Sequence, residues 1–233
     1  MRGRSWKFWL VAGVLVLGVG VVGGPFVYIH FIESKAPAPL SLAKTSPSAS
    51  AASSTATSAQ GVDGAWTVTS GSTIGYRVQE VLFGQSNTAA GRTSSVVGSI
   101  TMEGKTVSAA TFTVDMTTVS SDQQRRDNQF NGRIMDTASY PTATFKLSNP
   151  IVLTSIPSVG MQASTQATGV LTMHGTSKSV TFTITGQRTD DGLQVTGQIP
   201  VTFADWNIPN PSFGPATTQD HGVLEFLLVF KRA

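Results

Sequence analysis

Apolar residues alternate with threonine and serine through most of the chain after residue 62, and this period of two restricts the fold more than any other feature. In "SVTFTITG" (179–186), Val180, Phe182 and Ile184 alternate with threonines. Such alternation places apolar side chains on one face of a strand and hydroxyls on the other. The segments "LQVTGQIPVTF" (193–203) and "ATFTVDMTTV" (110–119) repeat it. Each segment therefore predicts a half-buried antiparallel strand.

The remaining strand-like segments are separated by clusters of Gly, Ser, Asn or Asp, which favour turns. These segments are residues 66–78, 96–102, 142–147, 165–175 and 222–232. About eight strands with little room for helices predict an all-β domain, either a sandwich or an antiparallel up-and-down barrel. The exception is residues 120–131, where a side-chain oxygen of Ser121 or Asp122 can cap one short helix.

The first 62 residues have a different composition, typical of a membrane anchor followed by a linker. Residues 1–9 are basic, and residues 10–32 form a 23-residue segment without a charged side chain. As a helix this segment is long enough to cross about 30 Å of hydrocarbon, whereas a cleaved secretion signal has an apolar core of only about 7–15 residues. Residues 33–62 are rich in Ala, Ser, Thr and Pro, which predicts a disordered tether. Residues 63–233 form the domain.

The charge distribution and the cysteine content restrict the possible location of the domain and the kinds of partner that it can bind. Basic residues precede the apolar segment, which predicts a single-pass protein with a cytoplasmic N-terminus and an extracellular or periplasmic domain. Five of the 16 basic and one of the 13 acidic residues lie in residues 1–62, leaving eleven basic and twelve acidic residues in the domain. This balance offers no argument for binding nucleic acid. The chain has no cysteine, which excludes disulfides and a lipid attached through cysteine.

The most polar run of the domain, "RRDNQFNGRIMDTASYPTATF" (125–145), contains Arg126-Asp127, then Asp136, then "YPTATF" (140–145). Together with the hairpin "GVLTMHGTSKSVTFTIT" (169–185), it resembles the signature segments of the YceI-like family. A third segment, "FADWNIP" (203–209), is similar to the turn that precedes the last strand in that family. The resemblance covers roughly residues 64–231.

The resemblance implies an extended lipocalin-like barrel outside the cytoplasm that binds a long polyisoprenoid chain. With the residue pattern, it predicts an antiparallel up-and-down barrel of about eight strands with one short helical crossing, preceded by a single transmembrane helix. The ligand would be a polyisoprenoid or an isoprenoid quinone, with no separate cofactor. The chain departs from the family at a few positions: Gln129 for histidine, Phe130 for leucine, Ile134-Met135 for paired phenylalanines and Asn207 for glycine. The replacement of the paired rings by Ile134 and Met135 keeps the site apolar but changes its shape.

The inward faces of the predicted strands define the candidate lipid-binding residues. They are Tyr76, Val78, Phe112, Val114, Met116, Phe145, Leu171, Met173, Phe182, Ile184, Val195, Ile199, Phe203, Phe226 and Phe230, with Trp206 from the turn after the strand. Methionine and phenylalanine suit a flexible branched chain because they adapt their contacts. The same pattern also fits a solid core, in which case the domain would be a cell-envelope interaction module without a lipid ligand.

The polar run is predicted to form the rim or lid of the barrel. Its candidate residues are Arg126, Asp127, Phe130 and Met135. For Arg125, Arg126 and Asp127, hydrogen bonding to the exposed backbone of the crossing is favoured over direct contact with the ligand. Pro141 lacks an N–H and suits the first residue of a strand.

Residues suited to catalysis are scarce. The domain has only His174 and His221, and it lacks H-E-x-x-H, G-x-S-x-G and a Gly-rich phosphate loop. Asp220 precedes His221, but neighbours in a strand point to opposite faces, so these two are not expected to act on one atom. His174 is expected to bond its own backbone in a turn. The sequence therefore predicts a non-enzyme, with no catalytic and no metal-binding residues.

Overall fold

The structure, a computed structural model, describes residues 36–42, 61–82, 84–214 and 216–233, within which there are thirteen strands and one short α-helix. The strands are β1 (Gly64–Val68), β2 (Thr73–Leu82), β3 (Gln85–Thr93), β4 (Val96–Glu103), β5 (Thr106–Asp115), β6 (Ser120–Ser121), β7 (Thr142–Leu147), β8 (Ile151–Val152), β9 (Gln162–Met173), β10 (Thr176–Arg188), β11 (Leu193–Thr202), β12 (Ala216–Thr218) and β13 (His221–Arg232). Helix α1 (Gln124–Gln129) continues into a π-helical turn at Phe130–Ile134. The predicted transmembrane segment, residues 10–32, lies outside the described residues, and no helix within those residues has the length and apolar character to cross a membrane.

Eight of these strands close into a barrel in the order β1, β4, β5, β7, β9, β10, β11 and β13, and β1 pairs with β13 to complete the ring. Every pairing around the ring is antiparallel. Closure removes the free sheet edges that would otherwise leave backbone groups unpaired. The predicted antiparallel barrel with one short helical crossing is thus confirmed.

The wall branches at β13, which the sequence did not predict. Residues 223–227 of β13 pair with β2, and residues 230–232 pair with β1. Residues 66–78, predicted as one strand, are therefore two strands separated by a turn at residues 69–72, in which Gly71 has a φ of +91°. Strand β3 was missed altogether, because its sequence "QSNTAAGRT" has no large apolar residue to reveal the alternation.

The short helix lies where the sequence placed it, but its capping differs. The N-cap residue is Gln123, without a side-chain cap bond, so the predicted capping by Ser121 or Asp122 is wrong. Asp127 instead reaches back out of the helix, and its Oδ1 accepts hydrogen bonds from the Ser121 backbone N at 2.8 Å and from the Ser121 Oγ at 2.6 Å. The start of the helix is thus held by a carboxylate from its own first turn.

One end of the barrel is closed by buried side chains. Trp66 and Phe230 are both buried there, and Trp66 Nε1 donates to the carbonyl oxygen of Val62 at 2.8 Å. The Arg232 guanidinium lies 5.0 Å from the Trp66 ring centroid, so a cation–π contact covers this plug from outside. The helical crossing lies at the other end, where β5 finishes and β7 begins.

Candidate functional site

A cavity of about 700 Å³ occupies the interior of the barrel. Its volume falls within the range of about 300–1,000 Å³ typical of small-molecule sites. Apolar side chains from all the strands of the barrel except β1 form most of its surface. The interior is therefore hollow rather than filled by side chains, unlike the solid core that the same sequence pattern would fit.

Nearly all of the predicted lining residues border this one cavity. They are Tyr76, Val78, Phe112, Val114, Met116, Phe145, Leu171, Met173, Phe182, Ile184, Val195, Ile199, Phe203, Phe226 and Phe230. Trp206 does not border it, and its assignment as a lining residue is wrong. The strand alternation ends at Phe203, where the chain enters a 3₁₀ turn, and Trp206 is buried within that turn.

The cavity stays open because aromatic rings lie along the wall, over glycines on the neighbouring strand. A Cβ atom on Gly91 would fall 2.5 Å from Cε1 of Tyr76, and one on Gly197 would fall 2.6 Å from Cζ of Phe226. The same arrangement joins Gly98 to Phe112 and Gly169 to Phe145. Each ring occupies the space in which a side chain would otherwise stand, so it covers the wall and leaves the centre of the barrel empty.

Small residues complete the hollow, and the sequence reasoning missed them. Ala89, Ala110, Ala143 and Ala167 are buried and border the cavity. The alternation in β7 could have identified one of them, since Ala143 lies on the same inward face as Phe145. The predicted lining contains no alanine, whereas the volume of a cavity depends on the small side chains as much as on the large ones.

The mouth of the cavity lies between the helical crossing and the loop at residues 207–214. Arg125 and Phe213 are the exposed members of the lining, and Phe213 is 49% exposed. The guanidinium carbons of Arg125 and Arg133 lie 5.4 and 5.8 Å from the Phe213 ring centroid. Arg133 also donates to the carbonyl oxygens of Asn210 and Pro211, at 3.0 and 2.9 Å. These contacts connect the helical crossing to the loop at residues 207–214 along one side of the opening.

The predicted rim residues divide into two groups. Arg126, Phe130 and Met135 border the cavity, whereas Asp127 does not. Phe130 stacks on Tyr76 with 5.2 Å between ring centroids and an interplanar angle of 8°. Arg126 pairs with Asp122 and, at 3.6 Å, with Glu80 on β2. The crossing therefore contributes both an apolar cover and a charged edge.

Tyr76 is a polar group within this apolar site. Burial raises the pKa of its phenol above the ordinary value. The group therefore remains protonated at any physiological pH and can donate a hydrogen bond to a neutral acceptor on a ligand.

Asp127→Ala is expected to destabilise the empty domain by roughly 1.5–3 kcal/mol, because the variant loses the charge-assisted hydrogen bonds to Ser121 that hold the crossing. The neighbouring variant Asn128→Ala is the control, since Asn128 is exposed and its side chain accepts an exposed hydrogen bond from Gln124 Nε2. Thermal melting of both variants measures the difference. An unchanged melting temperature for Asp127→Ala, with weakened ligand binding, would instead assign the carboxylate to the ligand.

The two histidines of the domain lie outside the cavity lining. His174 occupies a turn with a φ of +48°, as expected, but its Nδ1 lies 3.2 Å from the Trp206 carbonyl oxygen and not against its own backbone. The expectation that Asp220 and His221 point apart is wrong. Asp220 precedes β13 in a bend, so the strand rule does not apply, and its Oδ1 lies 2.7 Å from His221 Nδ1. This bond lowers the pKa of Asp220, and both side chains are exposed.

A closed antiparallel barrel with an apolar cavity that opens at one end places the chain among the small hollow barrels, the class that includes the lipocalins. Comparison with known families makes the assignment specific. The sequence profile of the YceI-like domain matches residues 66–230, and the chain belongs to this family. No curated protein matches the chain in sequence.

Solved structures with the same fold are distant in sequence. A polyisoprenoid-binding domain from Saccharophagus degradans, implicated in plant cell wall breakdown, matches with a TM-score of 0.58 at 15% identity, covering 72% of this chain and 98% of its own. BcnA of Burkholderia cenocepacia matches with a TM-score of 0.50 at 20% identity, covering 66% of this chain and 95% of its own. At these identities the likeness shows a shared barrel fold.

Proposed function

We propose that this protein is a membrane-tethered, extracytoplasmic lipid-binding protein that holds a polyisoprenoid or isoprenoid-quinone chain inside its barrel. The observation that carries the proposal is the cavity of about 700 Å³ with its largely apolar lining. The polyisoprenoid binding described for the domain from Saccharophagus degradans supports the same class of ligand.

The driving force would be the transfer of apolar surface from water into the barrel. Each buried CH₂ contributes about 0.8 kcal/mol, so ten buried carbons outweigh several kcal/mol of lost chain freedom. Met116, Met135 and Met173 all border the cavity. Their unbranched side chains can follow the methyl branches of an isoprenoid, which suits a chain with little other chemistry to recognise.

The polar part of the lining orients the ligand. Glu80, Gln123, Arg125, Arg126 and Gln129 border the cavity at the mouth, whereas the closed end is apolar. A tail directed inward would bury its carbons and leave its head group among these side chains, where water and hydrogen-bonding partners are available. The lipid would therefore be bound with its tail inside the barrel and its head group at the mouth.

The membrane anchor would be the predicted span at residues 10–32, with the N-terminus in the cytoplasm. Its basis is the uncharged length of this segment and the basic residues before it. A lipid-binding barrel attached to the membrane would be positioned to exchange its ligand with the bilayer.

Lipid extraction and reloading of the full chain test this function. Mass spectrometry of an organic extract of the purified protein is expected to detect an isoprenoid lipid near one per chain. The delipidated protein is expected to retain a fluorescent polyprenyl analogue, with a straight-chain fatty acid as competitor. If the delipidated, folded protein retains neither compound, the carrier function is refuted and an envelope interaction module becomes the better interpretation.

A further inference from the structure

A short segment ahead of the barrel lies against the outside of its wall. Residues 36–42, "APAPLSL", fall within the stretch predicted to be a disordered tether, yet the structure docks them on β2, β3, β11 and β13. Leu42 is only 7% exposed, although the segment belongs to no strand. We call residues 36–42 the strap.

The centre of the docking site is a buried carboxylate on the outer face of β13. Glu225 lies between Leu224 and Phe226, and its carboxylate contacts Arg92 and the strap on the outer face, yet its side chain is 0% exposed. Arg92 donates to Glu225 Oε1 through Nη2 at 2.8 Å and Nε at 3.1 Å, and Arg77 lies 3.7 Å away. A fully buried charge on an outer wall requires a cover.

A glycine, Gly75, makes room for this ion pair. Glu225, Gly75 and Arg92 are successive partners across β13, β2 and β3. A Cβ atom on Gly75 would fall 2.8 Å from Cγ of Arg92, so only glycine lets the arginine cross β2 and reach the carboxylate. This row of three paired residues, Glu225, Gly75 and Arg92, therefore allows an ion pair to form on the outside of the barrel.

The strap completes the hydrogen bonding of this row. Its Leu40 N donates to Glu225 Oε2 at 3.1 Å. The carbonyl oxygens of Pro37 and Ala38 accept from Arg77, at 2.6 Å, and from Arg92. Thr196 Oγ1, which donates to the Phe226 carbonyl oxygen at 2.8 Å, also lies 3.4 Å from the Leu40 carbonyl oxygen. Docking therefore gives Glu225 Oε2 a hydrogen-bond donor, and it gives both arginines carbonyl acceptors in addition to the Glu225 carboxylate.

We propose that the outer-wall site of Glu225, Arg92, Arg77 and Thr196 is a docking site for the strap, and that docking holds the barrel against the membrane face. The membrane part rests on the proposed span at residues 10–32. A free tether over residues 33–62 would have a root-mean-square reach of about 30 Å. With the strap docked, only residues 33–35 separate the span from the barrel, which limits the gap to about 10 Å. Lengthening the chain after the strap would then leave this gap unchanged.

Site-specific labelling tests the docking, because the full chain has no cysteine to interfere. Leu42→Cys places a thiol at the buried strap position, and Ser41→Cys places one at the exposed neighbour. A maleimide is expected to label Leu42→Cys at least about tenfold more slowly than Ser41→Cys. Adding Leu40→Pro removes the N–H that bonds Glu225 without altering the barrel, and should raise labelling at residue 42 to the rate at residue 41. Equal labelling rates without Leu40→Pro would overturn the proposal.

Insertions on either side of the strap test the membrane placement. A donor dye on Val152→Cys, an exposed site, and acceptor-labelled lipids in vesicles report the height of the barrel in the full chain. A ten-residue Gly-Ser insertion between residues 35 and 36 is expected to lower energy transfer, while the same insertion between residues 50 and 51 should leave it unchanged. Equal changes from both insertions would overturn the placement. A chain that does not bind vesicles would refute the proposed anchor, whereas slow labelling at residue 42 would still establish the docking site.

Discussion

Ala110→Phe is expected to weaken retention of a polyprenyl chain about a hundredfold while leaving the empty domain nearly as stable as the parent protein. Ala110 is buried and borders the cavity. The added ring would enter space otherwise available to the ligand and displace about four of its carbons. At about 0.8 kcal/mol per CH₂, this costs about 3 kcal/mol of binding free energy.

Ala109→Phe is the matched control for this variant. Ala109 is the preceding residue of β5 and is exposed, so its ring would project to the outside of the barrel and leave binding unchanged. The measurement is a pair: the thermal melting of the delipidated protein and the dissociation constant of a fluorescent polyprenyl analogue. If Ala110→Phe destabilises the empty protein by about 1–3 kcal/mol and binding is unaffected, the interior is packed and the cavity is not the binding site.

Arg92→Ala is expected to destabilise the protein by about 3 kcal/mol, a large effect for an arginine in the wall of a barrel. The variant leaves the carboxylate of Glu225 without its closest ion-pair partner, while the carboxylate remains fully buried. Removing one member of a buried pair costs about 3–5 kcal/mol. The remaining contact of Glu225 with Arg77, at 3.7 Å, and the quarter exposure of Arg92 place the expected value at the lower end of that range.

Two further variants separate this effect from a general loss of surface charge. Lys178→Ala removes an exposed ion pair with Asp205, whose side chains are 41% and 58% exposed, and should change stability by less than about 1 kcal/mol. Glu225→Gln combined with Arg92→Ala should recover part of the lost stability, because the stranded charge is gone. Denaturant unfolding of the parent protein, the two single variants and the double variant measures their free energies of unfolding. A loss for Arg92→Ala no larger than that for Lys178→Ala would show that the buried pair does not stabilise the fold.

The sequence by itself determined the strands in which apolar and polar residues alternate, their inward faces, and the place where the strand pattern is interrupted. Phe182 and Ile184 border the cavity because a period of two is a property of the extended backbone and needs no information from distant residues. The segment at 125–145 was readable for a similar reason, since its polar run and Pro141 interrupt a strand pattern locally. These features also carried the resemblance to the YceI-like family.

Only the tertiary structure decided that the barrel is hollow. Whether Tyr76 crosses the barrel or lies along its wall depends on Gly91, which is opposite it on another strand that the sequence pattern did not reveal. Trp206 does not border the cavity because a 3₁₀ turn interrupts the alternation. The strap docks through a hydrogen bond from Leu40 to Glu225, which is 185 residues away in the sequence. Each outcome depends on a pairing between distant parts of the chain. A local pattern specifies the face on which a side chain lies, whereas its partner there is set by how the strands are arranged when the barrel closes.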